Sequence, residues 1–156
     1  MVLQLTKQNL DNLVKNRYLK QEPCDKEEVT RMLGIAYRRL LDSQIQEVSI
    51  EGRFTSAYNA AHNAALAALR WHGYRSENRF LVFQCLGDTL GWPASKWRVF
   101  DSAHQKRNLA EYEGYLEVEE STIKELRDLT TSLIKDVEKL AKISCVKDHL
   151  PIQAPS

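Results

Sequence analysis

The chain has too little cysteine to build a disulfide framework. Its three cysteines, Cys24, Cys85 and Cys145, are scattered through 156 residues. An odd, unclustered set of this kind excludes paired bridges and a Cys-x-x-Cys metal site, and predicts reduced thiols in a cytoplasmic protein. Long apolar runs are missing too: none approaches the roughly 20 residues needed to cross a bilayer. The opening MVLQLTKQNLDNLVK has no basic segment leading into an apolar one, so it does not read as a signal peptide. A strong charge of one sign is also absent. Basic side chains number 22 and acidic ones 21, a net +1, so the whole chain exerts little long-range pull on nucleic acid and any such site must come from local clustering. No Gly-rich phosphate loop, His-Glu-x-x-His or Gly-x-Ser-x-Gly motif occurs. His62 and His72, ten residues apart, do not form a chelating pair on one helix face. No metal and no cofactor is therefore expected.

Glycine and proline are scarce, six and four, and no stretch alternates apolar and polar residues for long, which points to helices. The pattern predicts one helical domain over residues 1–146, an all-α, antiparallel, up-and-down bundle of five to six helices, with residues 147–156 as a frayed tail. A first helix is expected over 6–19, with Thr6 as its N-cap. A second starts at Asp25, where Glu28 completes a capping box, and carries the stripe Val29, Met32, Leu33, Ala36, Leu40 and Leu41. Residues 48–53 read as a loop. A third helix, 55–72, is rich in alanine and ends at Gly73. Small side chains let neighbours approach closely, which makes it the centre of the bundle. A fourth covers 79–90, Gly91-Trp92-Pro93 breaks the chain, and a fifth runs over 94–112. The last starts near Ser121 or Thr122, with Thr122 and Glu125 as a capping box.

The densest polar stretch lies on the fifth helix. Trp97, Phe100, His104, Arg107 and Glu111 fall at steps of three and four and share a face. An imidazole beside a guanidinium suits a phosphate, with His moving a proton near neutral pH. On spacing alone the plainer reading leads: Arg107 pairs with Glu111 at i,i+4 and His104 is a satisfied boundary residue. Basic residues gather at Arg70, Arg75 and Arg79, and again at Lys96, Arg98, Lys106 and Arg107, with Trp71, Trp92 and Trp97 among them. That mixture suits single-stranded nucleic acid, but solvated charges over core tryptophans are the commoner arrangement.

The block Ala57-Tyr58-Asn59-Ala60-Ala61 through Leu69, followed by Arg107-Asn108-Leu109-Ala110-Glu111-Tyr112, resembles the HEPN superfamily of small helical bundles over roughly residues 25–145. Many HEPN proteins sit beside minimal nucleotidyltransferases or in toxin–antitoxin and other defence systems. The catalytic members are metal-independent ribonucleases. Their Arg, usually followed by a polar residue, precedes a His, and two such motifs meet across a dimer. Here Arg107-Asn108 matches the first half and Tyr112 stands where the His belongs. A phenol with a pKa of about 10 is a poor base at neutral pH. Arg98 and His104 meet the motif's spacing of four to six intervening positions, but Val99 follows the Arg. The resemblance thus implies a non-nuclease branch: an interaction or nucleotide- or nucleic-acid-binding subunit, partner to a nucleotidyltransferase or another protein. The binding residues would be His104, Arg107, Asn108, Glu111 and Tyr112, with Asn108 and Tyr112 forming a clasp. The alternatives are a HEPN-like ribonuclease using His104 with Arg98 or Arg107, and a purely structural helical module. The resemblance, together with the aromatic residues at 92–100, also predicts a homodimer.

Overall fold

The computed structural model describes residues 2–114 and 116–142, with side chains from Lys7 onward. Helices dominate it. In chain order they are α1 (Val2–Lys15), α2 (Lys26–Asp42), α3 (Ile50–Trp71), α4 (Arg79–Gln84), α5 (Leu86–Thr89), α6 (Ala94–Glu113) and α7 (Glu120–Ala141). A two-stranded antiparallel sheet, β1 (Lys20–Gln21) with β2 (Tyr74–Arg75), joins the segment before α2 to the segment after α3. Among the described residues no helix is long and apolar enough to cross a membrane. The expected tail at 147–156 lies outside the described residues, as does Cys145.

The alanine-rich helix occupies the centre. Ala57, Ala60, Ala61, Ala64, Ala67 and Ala68 are fully buried, and α3 touches α2, α7, α4, α5, α6 and β2. A core helix with methyl-sized side chains accepts neighbours on nearly all sides. Polar cross-links set the directions. The end of α3 meets the start of α2 through Arg70 and Glu28, so those helices run opposite ways. The start of α3 meets the start of α7 through Arg53 and Glu120, at 2.6 Å. Arg127, early in α7, reaches the carbonyl of Ser43 just past the end of α2. Trp92, just ahead of α6, donates to Asp136 late in α7 at 2.8 Å.

Several expected boundaries move, each for a local reason. Asp25 does cap α2, accepting from the amides of Glu27 and Glu28. The Glu28 carboxylate does not complete a capping box, because two arginines hold it instead. Helix α3 starts at Ile50 rather than 55, because Ser49 caps it by accepting from the Gly52 amide. Gly52 is therefore helical and not a loop residue. A Cβ there would come within 2.7 Å of Val48. Helix α1 spans Val2–Lys15 and so contains Thr6 instead of starting at it. The fourth expected helix divides at Cys85 into α4 and α5. Helix α7 begins two residues before Thr122, behind Glu119, with no side-chain cap. Glycine at 114, with φ +79°, closes α6 in the left-handed region.

Candidate functional site

The polar face of α6 meets α3 and α4 around one buried phenol. Tyr58, fully buried on α3, lies 2.9 Å by its hydroxyl from His104 Nδ1. The other ring nitrogen, His104 Nε2, lies 3.0 Å from the side-chain amide Nδ2 of Asn108. With the amide Nδ2 turned to the ring as donor, Nε2 accepts, and the ring proton is assigned to Nδ1, which donates to the Tyr58 oxygen. Both nitrogens of His104 are thus engaged inside the protein. Protonation would set Nε2–H against the Asn108 N–H, donor facing donor. Burial holds the His104 pKa below its ordinary value, and the nearby charges of Arg107 and Arg79 push it the same way.

Two guanidinium groups converge on the same phenol. The Arg107 carbon Cζ is 5.4 Å from the Tyr58 ring centroid and that of Arg79 is 5.8 Å. Cation–ring contacts of this kind contribute about 0.5–2 kcal/mol, more when shielded from water. Arg107 pairs with Glu111 at 2.8 Å, one turn further along α6. Arg79 Nη1 is buried without a hydrogen-bond partner. Burial raises the Tyr58 pKa, while the two cations pull against it. His62 stands one turn from Tyr58 on α3, its ring edge-on to Phe83. Burial lowers its pKa to about 4, and Arg79, Arg107 and His104 add to the fall. The centre of the face therefore holds two cations, two neutral imidazoles and one carboxylate.

The sequence placed His104, Arg107, Asn108 and Glu111 together, and the structure brings them together, with the plainer Arg107–Glu111 pairing present. Tyr112 stands apart. It is 89% exposed, and Asn108 is held by His104, so the expected Asn108–Tyr112 clasp does not form. Arg98 also stands apart, stacked on Trp97 on another side of α6. Sequence reading missed Arg79 as a member of this face and Tyr58 as its hub. The signal available was the i,i+4 pair of Tyr58 and His62. Arg70 and Arg75 do not join Arg79 in a basic patch: both are bound to Glu22 and Glu28. Trp92 and Phe100 are buried in the chain itself, stacked 6.0 Å apart, and so are not left over for a symmetric contact.

The face opens to the surface at Arg107 and Glu111, whose side chains are 24% and 58% exposed. A groove of about 660 Å³ lies elsewhere, between α1 and the small sheet, where Leu10, His72 and Tyr74 line it. Volume alone would favour that groove, but the convergent cations and the buried orphan nitrogen are on the α6 face, and chemistry decides between them. Among the described residues no three His, Cys, Asp or Glu side chains group as metal ligands would. The chain matches no family model, no curated protein and no solved structure.

Proposed function

We propose that this chain is a non-catalytic, HEPN-like binding subunit that takes a phosphate of a nucleotide or nucleic acid on the α3–α4–α6 face. The observation that carries the reading is the engagement of both ring nitrogens of His104. A general base needs a free lone pair within reach of the proton it removes. Here that lone pair is held by Asn108, and the opposite nitrogen by Tyr58.

Anion binding follows from the arginines. The Arg107–Glu111 pair is an i,i+4 pair with Glu111 largely exposed, and such pairs contribute about 0.3–0.5 kcal/mol. A hydrogen bond to a charged group contributes about 1.5–3 kcal/mol, so a phosphate displaces the carboxylate with a net gain. Glu111 holds the fork oriented until it is displaced. Arg79 brings a second guanidinium whose Nη1 is unsatisfied. A shallow site suits an extended ligand such as single-stranded RNA better than an enclosed small molecule. The HEPN resemblance supports two further parts of the proposal, a homodimer in the cytoplasm and service to a nucleotidyltransferase or similar partner.

The test uses fluorescently labelled mixed-sequence RNA in excess chelator, followed for binding and for cleavage in the same samples. Binding without cleavage is expected, weakened about tenfold in Arg79→Ala and in Arg107→Ala, a loss of roughly 1.4 kcal/mol each. Cleavage that disappears in both His104→Ala and Arg107→Ala, with folding intact, would overturn the reading and make the protein a ribonuclease. An absence of RNA and nucleotide binding altogether would leave the structural module.

A further inference from the structure

On the side of α6 turned away from His104, residues 95, 99, 102 and 106 form a second line at helical spacing. There α6 and α7 stand apart. Two adjoining grooves of about 480 and 230 Å³ share Ser95, Val99 and Glu125, and so make one trough. The gap has a plain cause. Ser95, Ser102, Ser121 and Thr122 line the trough with side chains too short to fill it. Its accessible apolar surface comes mainly from Val99 and Leu129, over the buried Ala103 and Leu126.

The charges around this trough are unbalanced. Lys124 is paired with Asp128 at 3.0 Å. Lys96, Arg98 and Lys106 have no carboxylate within ion-pair distance among the described residues. Lys96 lies over the Trp92 ring at 5.1 Å and Arg98 over the Trp97 ring at 5.8 Å. Glu125 is the acidic lining residue without a paired cation. Lys96 and Lys106, with Arg98 whose charge also acts on Asp101, thus line the trough beside one carboxylate, Glu125, that lacks a paired cation, in a chain whose total is only +1.

We propose that this trough docks an acidic amphipathic helix of a partner protein. Apolar side chains three and four apart lie on Val99 and Leu129, and flanking carboxylates meet Lys96, Arg98 and Lys106. Two neighbouring helices with a gap between them offer a third helix a groove to pack into. From Ser95 to Lys106 the trough runs about 16 Å, roughly three helical turns. A nucleic acid fits less well, because its phosphates would cover none of the apolar surface of Val99 and Leu129. The trough shares no residue with the His104 face, so the two proposals stand or fall separately.

The probe is a labelled peptide of about 12 residues, roughly three turns, with leucines three and four apart and glutamates elsewhere. Fluorescence anisotropy with the full chain should show saturable binding that weakens as salt rises. Lys96→Glu with Lys106→Glu should weaken it about tenfold or more, and Val99→Trp should block it by filling the trough. A peptide with lysines for glutamates should bind the double charge reversal better than the wild type. Arg107→Ala should leave the peptide's affinity unchanged. Circular dichroism checks that each variant is folded. The proposal is overturned by no saturable binding by the folded wild type, equal binding of a scrambled peptide, or oligouridine binding that is lost in the Lys96/Lys106 variant. Self-association abolished by Val99→Trp also overturns it, and would assign the trough to a second copy of this chain.

Discussion

Two pairs of arginines, close together in sequence or on one face, meet opposite fates. Arg70 and Arg75 are saturated. Arg70 is 1% exposed, and its Nε donates to Glu28 at 2.5 Å. Its terminal nitrogens reach the carbonyls of Glu22, Pro23 and Tyr74 and the Glu22 carboxylate. Arg75 binds the same two carboxylates at 2.8 and 2.7 Å. Arg79 and Arg107, by contrast, lean on a phenol ring, Arg79 also hydrogen-bonding the Tyr58 side chain, and among the described residues their one ion-pair partner is Glu111. A buried guanidinium with every donor answered is committed to the fold. One that rests on an aromatic face with an unanswered nitrogen, as Arg79 does, is less committed to the fold.

The widest gap between the pairs should appear in stability. Arg70→Ala should cost about 3–5 kcal/mol, because it leaves Glu22 and Glu28 facing each other with one cation fewer. Arg79→Ala should cost about 1 kcal/mol or less, since the loss of a cation–ring contact and a hydrogen bond to Tyr58 is partly offset by removal of an unsatisfied nitrogen. Urea denaturation measures both. Equal costs would erase the distinction.

Acidification sharpens it next. His62 has its folded pKa lowered to about 4, below the ordinary 6.5. Its neutral form is favoured by the fold, so its contribution is complete above pH 6.5 and is lost as the pH falls toward 4. The expected loss is of order 2 kcal/mol, and His62→Gln should flatten that part of the stability–pH curve. Glu28, lowered chiefly by its hydrogen bond to Arg70, loses its contribution only below the ordinary carboxylate range. Thermal denaturation from pH 8 to 4 in wild type and His62→Gln separates the two. A curve unchanged by the substitution would remove His62 from the account.

Smaller effects probe the hub. Tyr58→Phe deletes the hydrogen bond to His104 and should cost about 0.5–1.5 kcal/mol in calorimetry. Tyr112→Phe should change stability by less than about 0.5 kcal/mol, since an exposed hydroxyl is lost to water alone. A larger cost for Tyr112 than for Tyr58 would reverse the assignment of the hub.

What was legible in the sequence was what depends on near neighbours. Asp25 as a cap, the helical stripe through Val29 and Leu40, the alanine-rich centre and the shared face of His104, Arg107 and Glu111 all follow from spacing within a few turns. What was missed depends on distant residues. The strands β1 and β2 are two residues each and carry no pattern of their own. They pair because Arg70 and Arg75 gather Glu22 and Glu28 from some 40–50 residues away. The same distance hid the role of Glu28, whose position fits a capping box and whose carboxylate goes elsewhere. Tyr58 could not be read as the hub because His104 is 46 residues away along the chain. Tyr112 was overvalued because a motif position says nothing about exposure.

The account turns on His104 being a fixed neutral link and not a free base. Long-range proton–nitrogen NMR on the imidazole-labelled protein reads this directly. At pH 6.5 the ring should be neutral with its proton on Nδ1, and its titration midpoint should lie below the ordinary histidine value; in Asn108→Ala the preference for that tautomer should weaken. A ring protonated on Nε2 that titrates at or above pH 6.5 and is indifferent to Asn108 would contradict the account.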